Sequence, residues 1–177
     1  AGDVVSLKDF KDRPLGTAIY NPSSQIVARR ISRRKQELDA AFFERRIERA
    51  LWLRETMGFS EQIYRLVWSE ADGMPGVVVD RYGQHFVLQT LTLAMDQRKD
   101  LIVNALQSVF GEIVVVERND SAVRKAEGLE IATGVLVGDK AEPFEIEVNG
   151  ISQTIDLLEG QKTGIFLDQL DNYAAVG

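Results

Sequence analysis

The 177-residue chain contains no cysteine and only one histidine, His85. The absence of cysteine excludes disulfides, thiolate zinc sites, iron–sulfur clusters and a thiol nucleophile within these residues. One histidine cannot build a histidine-rich metal site, so the sequence assigns no metal ligands. The chemistry of this chain must therefore use carboxylates, lysines, hydroxyls, backbone amides or a bound cofactor.

Long apolar runs are also missing. No run approaches the roughly 18 apolar residues that cross a bilayer, and the N-terminal AGDVVSLKDF lacks the basic and apolar regions of a signal peptide. With 45% hydrophobic and 27% charged residues, the composition is ordinary for a globular protein with a buried core. We therefore expect a cytoplasmic protein with no membrane segment.

Charge is distributed unevenly along the chain. The net charge of −6 comes from 21 Lys and Arg against 27 Asp and Glu. Residues 1–60 hold twelve basic and eight acidic residues, whereas residues 61–177 hold nine and nineteen. This asymmetry suggests a basic module attached to an acidic one, so the net charge does not exclude RNA as a partner.

The pattern of residues 1–60 predicts three short strands followed by a helix. Strands are predicted over 4–7, 15–20 and 25–31, with turn residues between them. Because three short strands cannot cover two faces, this meander must pack on something else or belong to a larger β module. An amphipathic helix is predicted over 39–57, with Asp39 as its N-cap and Gly58 after its end.

The acidic part predicts an α+β unit. We expect strands, a helix capped by Asp96, and a hairpin at Asn149-Gly150. The strands are predicted at 63–68, 77–80, 85–93, 113–117, 144–148 and 151–157, and the helix at 96–110.

The densest basic cluster lies at the end of the third strand and in the linker that follows. It comprises Arg29, Arg30, Arg33, Arg34 and Lys35. The planar fork of arginine suits bidentate contact with phosphate, so these residues are candidates for RNA binding. A solvated strand end and linker is the alternative, and the cluster alone does not decide between the two.

Three other polar segments have simpler interpretations. Glu70–Gly76 lacks the spacing of a calcium loop and is interpreted as a tight turn using Gly73 and Gly76. Asp80–Gly83 is interpreted as a turn with a local ion pair. His85 is interpreted as a packed or surface histidine rather than a general base.

The segment from Gly160 to Gln169 is glycine-bounded and polar. Lys162 offers a charge, Thr163 a hydroxyl and Asp168 an acceptor, while the flanking glycines allow the backbone to approach a ligand. The spacing is not that of a phosphate-binding P-loop. The segment could be the edge of a small-molecule pocket or an ordinary loop.

Several segments together resemble one family, and EADGMPGVVVDRYG and EGQKTGIFLDQ are the most specific of them. In order, the supporting segments are GDVVSL, YNPSSQI, AFFERRIERALWLR, ERNDSAVRKAEGL and TGVLVG. They resemble the front part of bacterial S-adenosylmethionine-dependent RNA cytosine-5 methyltransferases that modify large-subunit ribosomal RNA.

The resemblance implies an organisation and a set of site residues. Residues 1–34 would be the latter part of a PUA-like RNA-binding domain, 35–150 a connecting helix and central α+β domain, and 151–177 the start of a Rossmann-like cofactor domain. It also implies ribosomal RNA as partner and a homodimer. The implied S-adenosylmethionine-binding residues are Lys162, Thr163, Gly164, Phe166, Asp168 and Gln169.

The resemblance places no catalytic residue in this chain. Methylation at cytosine C5 uses a thiolate that adds to the ring, and the chain has no cysteine. We therefore expect a front fragment that binds and presents RNA, with an incomplete cofactor site. The alternatives are a non-catalytic RNA-binding or assembly module that lost its transferase, and a small-molecule-binding α+β domain with no RNA role.

Overall fold

The computed structural model describes residues 1–59, 62–139, 141–148, 150–160 and 163–167. Within these ranges the chain forms three sheets. Strands β1 (Asp3–Lys8), β2 (Pro14–Tyr20) and β3 (Ala28–Ser32) form an antiparallel meander. Strand β3 starts later than predicted, because residues 21–27 turn: the backbone N–H of Asn21 donates to the carbonyl of Val27.

Helix α1 (Ala40–Thr56) joins the meander to the rest of the chain, close to the predicted range. The carboxylate of Asp39 accepts a hydrogen bond from the Phe42 N–H at 2.8 Å, which confirms the predicted N-cap. Phe43, Ile47 and Ala50 lie on one face at helical spacing and are buried. The helix therefore packs through the apolar face that the sequence predicts.

A five-stranded sheet forms the centre of the structure, in the order β4-β5-β6-β7-β8. Its strands are β4 (Ile63–Trp68), β5 (Val77–Tyr82), β6 (His85–Thr90), β7 (Val114–Asn119) and β8 (Ala132–Val137). Neighbouring strands are antiparallel except β6 and β7, which are parallel. The prediction of a chain that mixes helices and strands is confirmed, while its division into modules stays a prediction.

The helix predicted over 96–110 is two helices, α2 (Leu93–Asp96) and α3 (Lys99–Phe110). Asp96 as N-cap was wrong. Its carboxylate instead accepts hydrogen bonds from Thr90 Oγ1 at 2.6 Å and Arg124 Nη1 at 2.9 Å. The sequence prediction also missed α4 (Val123–Ala126) and β8.

Different elements pack on the two faces of the central sheet. Buried side chains of α1 and α3 pack on one face, in a core that also takes Ile19 and Ile31 from the meander. The meander therefore packs on another element, as its size requires. The antiparallel hairpin of β9 (Phe144–Val148) and β10 (Ile151–Ile155) contributes Val148 and Ile155 to the core on the other face.

No helix in the described part of the chain is long and apolar enough to cross a membrane.

Candidate functional site

A groove of about 600 Å³ lies between β3, the exposed side of α1 and the turn after β4. We call it the arginine groove. Its basic lining residues are Arg30 and Arg33 from the meander side and Arg46 and Arg49 from α1. Arg46, Arg49 and Leu53 share one face of α1, because residues three and four apart are neighbours on a helix. The fold thus brings together arginines from two separate segments.

Arg46 forms part of the floor of the arginine groove. Its Nη2 donates to the Ile31 carbonyl at 3.0 Å, and its guanidinium lies over the Phe42 ring at 5.1 Å from the centroid. Burial lowers the pKa of Arg46, and the charges of Arg49 and Arg45 lower it further. This crowding of like charge favours an anion in the groove.

In the turn that contains Gly73 and Gly76, Gly73 makes room for Arg46. Both glycines have positive φ, 70° and 80°, as predicted for a tight turn. A Cβ on Gly73 would lie 2.7 Å from Arg46 Nη1. A side chain at this position would therefore push into the arginine groove.

The two carboxylates that line the arginine groove, Glu70 and Asp72, are already paired. Glu70 accepts from Arg29 Nη1 at 2.8 Å, and Asp72 accepts two hydrogen bonds from Arg54, at 2.5 and 2.8 Å. Among the described residues, no salt bridge joins Arg30, Arg33, Arg46 or Arg49 to a carboxylate. The groove therefore keeps an excess of positive charge.

The predicted RNA-binding cluster is divided by the fold. Arg30 and Arg33 line the arginine groove, Arg29 is paired with Glu70, and Lys35 lines a separate hollow beside β1. Arg34 is exposed but does not line the groove. Sequence reasoning missed Arg46 and Arg49 as site residues, although two arginines three apart on a helix were a usable signal.

The predicted cofactor segment is described only in part. Lys162, Asp168 and Gln169 lie outside the described residues. Thr163 is 4% exposed, and its Oγ1 donates to Oδ2 of Asp80 at 2.6 Å. Gly164 and Phe166 are half-buried. The hydroxyl of Thr163 is thus directed towards the sheet.

Asp80 is the centre of this contact. Its carboxylate is fully buried and accepts two hydrogen bonds from Arg65 on β4, at 2.7 and 3.0 Å. The predicted turn with a local ion pair at Asp80 was wrong, because β5 continues to Tyr82 and Asp80 pairs across the sheet. Arg81 instead donates to the Gly83 carbonyl and the Tyr64 hydroxyl, both at 2.9 Å.

Tyr82 holds the next part of the same segment. Its hydroxyl accepts from the Ile165 N–H at 3.5 Å, and burial raises the pKa of Tyr82 to about 12. Gly164 has φ of 139°, and a Cβ there would lie 3.0 Å from Ile155 Cγ2 and 3.2 Å from the Tyr82 ring. Only glycine lets the backbone pass this close.

A second groove of about 550 Å³ lies at the β4 edge of the sheet and extends to this segment. We call it the aromatic groove, because Phe59, Tyr64 and Trp68 line it. It shares Leu53, Ala71 and Asp72 with the arginine groove. Sequence reasoning found no aromatic stacking surface near the basic cluster, because these aromatics are distant from it along the chain.

His85 is packed, one of the two predicted environments. Its ring stacks on Phe144 of the hairpin, with centroids 4.0 Å apart. Burial lowers the pKa of His85.

Known proteins share this arrangement of segments. Ribosomal RNA large subunit methyltransferase I from Klebsiella pneumoniae is 40% identical over 181 residues, covering 99% of the chain and 45% of the relative. The protein of the same name from Vibrio vulnificus is 43% identical over 174 residues, covering 97% and 44%. The chain is similar to these rRNA methyltransferases. It spans less than half the length of either one.

Two further comparisons agree with the similarity to rRNA methyltransferases. Residues 1–33 match the model of a PUA-like domain. A solved structure from Streptococcus mutans, assigned as a SAM-dependent methyltransferase, has a TM-score of 0.82 at 28% identity and covers 99% of this chain and 45% of that one. A methyltransferase structure complexed with SAH has a TM-score of 0.83 at 29% identity with the same coverage.

Proposed function

We propose that this chain is one part of a SAM-dependent methyltransferase that modifies C5 of a cytosine in large-subunit ribosomal RNA. Its role there is to bind RNA and present it to the catalytic part. The observation that carries the proposal is the arginine groove, which collects four arginines without carboxylate partners among the described residues. The similarity to rRNA methyltransferases supports the choice of RNA as the anion.

The proposed organisation follows the sequence ranges. Residues 1–34 are the latter part of a PUA-like domain, 35–150 the connecting helix and central domain, and 151–177 the start of the cofactor domain. The PUA-like match to residues 1–33 supports the first range. We also propose a cytoplasmic location and a homodimer, both from the family resemblance.

The RNA role has a clear electrostatic signature. Guanidinium groups contact phosphate oxygens bidentately, and each phosphate neutralised releases counterions. Affinity for RNA must then fall steeply as salt rises. We expect the arginine groove, rather than Arg34 and Lys35, to supply most of this dependence.

Fluorescence anisotropy with a labelled rRNA fragment at several salt concentrations tests this proposal. The double variant Arg33→Ala/Arg49→Ala should weaken binding and reduce the slope of log affinity against log salt by about one for each phosphate that is no longer bound. Lys11→Ala, at an exposed position in the turn after β1, is the matched control and should leave the slope unchanged. Equal slopes for wild type and the double variant would contradict the RNA role.

The described part of the cofactor segment fits a supporting role. When bound, SAM supplies the methyl group. Asp80 holds the Thr163 hydroxyl at 2.6 Å and Tyr82 holds the backbone of Ile165. These contacts fix the backbone of Gly164 and Phe166 against the sheet. We propose that SAM binds to this segment, and that these contacts hold its described part in place. The proposed SAM-binding residues are Lys162, Thr163, Gly164, Phe166, Asp168 and Gln169.

Calorimetric titration of the 177-residue chain with SAM tests this assignment. The chain carries only one side of the proposed site, so we expect binding weaker than submicromolar. Submicromolar affinity would overturn the view that the cofactor site needs residues beyond this chain.

A further inference from the structure

Two of the three aromatic side chains in the aromatic groove are exposed. Trp68, the last residue of β4, is 51% exposed, and Phe59 is 45% exposed. Tyr64 is buried and forms the back of the groove, with its ring 5.9 Å from that of Phe59. The volume of about 550 Å³ lies within the range of small-molecule pockets, about 300 to 1,000 Å³.

The planar groups of this groove are of two kinds. The guanidinium of Arg65 lies over the Trp68 indole at 4.5 Å from the ring centroid. Unstacked RNA bases stack on aromatic rings and on arginine planes, and this contact tolerates every base because each has a π face. Because the guanidinium of Arg65 covers one face of the indole, a nucleobase would stack on the other face of Trp68 or on the outer face of the guanidinium.

The aromatic groove also continues the arginine groove. Leu53, Ala71 and Asp72 line both, and the buried Arg54–Asp72 ion pair lies at their boundary. A nucleic-acid strand has its phosphates on one side and its bases on the other. One groove whose arginines have no salt bridge to a described carboxylate, and an adjoining groove with aromatic faces, match these two sides.

We propose that the aromatic groove binds an unpaired nucleobase of the same RNA strand whose phosphates lie in the arginine groove. The substrate class is thereby narrowed from RNA in general to a single-stranded segment such as a loop or bulge. In a duplex the bases are stacked on one another and cannot reach Trp68. The inference rests on the proposed RNA-binding function and adds base recognition to it.

Tryptophan fluorescence tests the inference directly. The chain contains two tryptophans, so one substitution leaves Trp68 as the only source of tryptophan emission. Trp52 is 62% exposed on α1 and lines neither groove, so Trp52→Phe isolates the emission of Trp68. This variant is titrated with a short oligoadenylate and with an abasic ribose-phosphate strand of equal length. Oligoadenylate should quench Trp68 and bind about tenfold more tightly than the abasic strand, as expected for one stacked base.

Substitutions in the unmodified chain give a second readout. Trp68→Ala should remove the tenfold preference for the strand with bases, and Trp68→Phe should retain most of it. Trp52→Ala is the matched control and should retain all of it. Circular dichroism establishes that each variant is folded, and the Trp68→Phe result keeps the test decisive if Trp68→Ala unfolds.

The outcomes separate this inference from the proposed function. If both strands bind with equal, salt-dependent affinity and Trp68 emission does not change, RNA binding stands and the nucleobase site is overturned. If neither strand binds, the proposed function itself fails. If Trp68 emission changes with protein concentration in the absence of RNA, a second copy of the chain occupies the groove and the nucleobase proposal is overturned.

Discussion

The arginines that line the arginine groove have different surroundings from the arginines of the interior. Arg30, Arg33 and Arg49 are exposed and have no salt bridge to any described carboxylate. Arg124 is buried and donates to the carbonyls of Thr90 and Glu130 as well as to Asp96. Arg118, also buried, donates to the carbonyls of Leu157 and Gly160 and to Asp120.

The contrast separates structural charge from functional charge. A buried guanidinium must be paired and fully hydrogen-bonded, so it constrains the segments around it, and losing it leaves its partners unsatisfied. An exposed guanidinium without a partner contributes little to folding and is available for a ligand. The following substitutions test this division.

Arg124→Ala should lower the free energy of unfolding by about 3 to 5 kcal/mol, because the half-buried carboxylate of Asp96 and the carbonyls of Thr90 and Glu130 lose the buried guanidinium that donates to them. Chemical denaturation measures the change. Lys125→Ala, an exposed neighbour in α4, is the control and should stay near wild type. A similar stability for both variants would show that burial does not distinguish the two classes.

Thr163→Val should lower the free energy of unfolding by about 1 to 2 kcal/mol. The substitution keeps the shape of the side chain and removes one donor from the buried Asp80, which keeps its two bonds from Arg65. Thr154→Val, at an exposed position on β10, is the matched control. Equal urea midpoints for the two variants would argue that the Asp80 contact does not hold the cofactor segment.

Arg33→Ala/Arg49→Ala should change the free energy of unfolding by no more than about 0.5 kcal/mol, since both side chains are exposed and neither has a salt bridge to a described carboxylate. The same variant should bind RNA more weakly and with a smaller dependence on salt. A large loss of stability, measured by thermal unfolding, would show that these two arginines contribute to folding. It would contradict the division between buried, paired arginines and exposed arginines.

The Asp96–Arg124 pair should make the free energy of unfolding depend on pH in the acidic range. Burial acts to raise the pKa of Asp96, but hydrogen bonds from Thr90 and Arg124 outweigh it and hold the pKa below its ordinary 3.8. The unfolded chain therefore takes up this proton first as pH falls. The stabilisation is present above about pH 4 and is lost as pH falls through the folded-state pKa.

Asp96→Asn is the variant that isolates this effect. It should be less stable than wild type at pH 7, and the difference should shrink as pH falls from 5 to 3. Denaturation at several pH values measures the difference. A constant gap over this range would show that Asp96 does not titrate differently in the folded chain.

Local features of the fold were predictable from the residues. Asp39 and Gly58 bracket α1, and apolar spacing identifies its buried face. The strands of the meander and of the β9–β10 hairpin follow from short β-rich runs between turn residues. By contrast, Asp96 looked like an N-cap because its competing partner, Arg124, is 28 residues away in the chain.

The residues of the candidate site were also predictable only in part. Arg30 and Arg33 belong to a visible cluster, and the QKTG segment was a visible candidate. The pairing of Asp80 with Thr163 spans 83 residues and has no sequence signal. The aromatic groove had no sequence signal either. Tyr64 and Trp68 belong to an ordinary predicted strand, and Phe59 is an isolated aromatic residue before it.

Most helices and strands, the charge asymmetry and the chemistry that the chain lacks follow from the residues alone, because helix caps and periodicity act over a few residues and composition needs no fold. Long-range packing determines which arginines are paired in the interior and which line a groove. Arg124 is paired because the fold brings it to Thr90 and Asp96, which are 34 and 28 residues away in the chain, and Arg49 lines a groove because α1 lies beside β3. The same residue type therefore stabilises the fold at Arg124 and remains available to a ligand at Arg49.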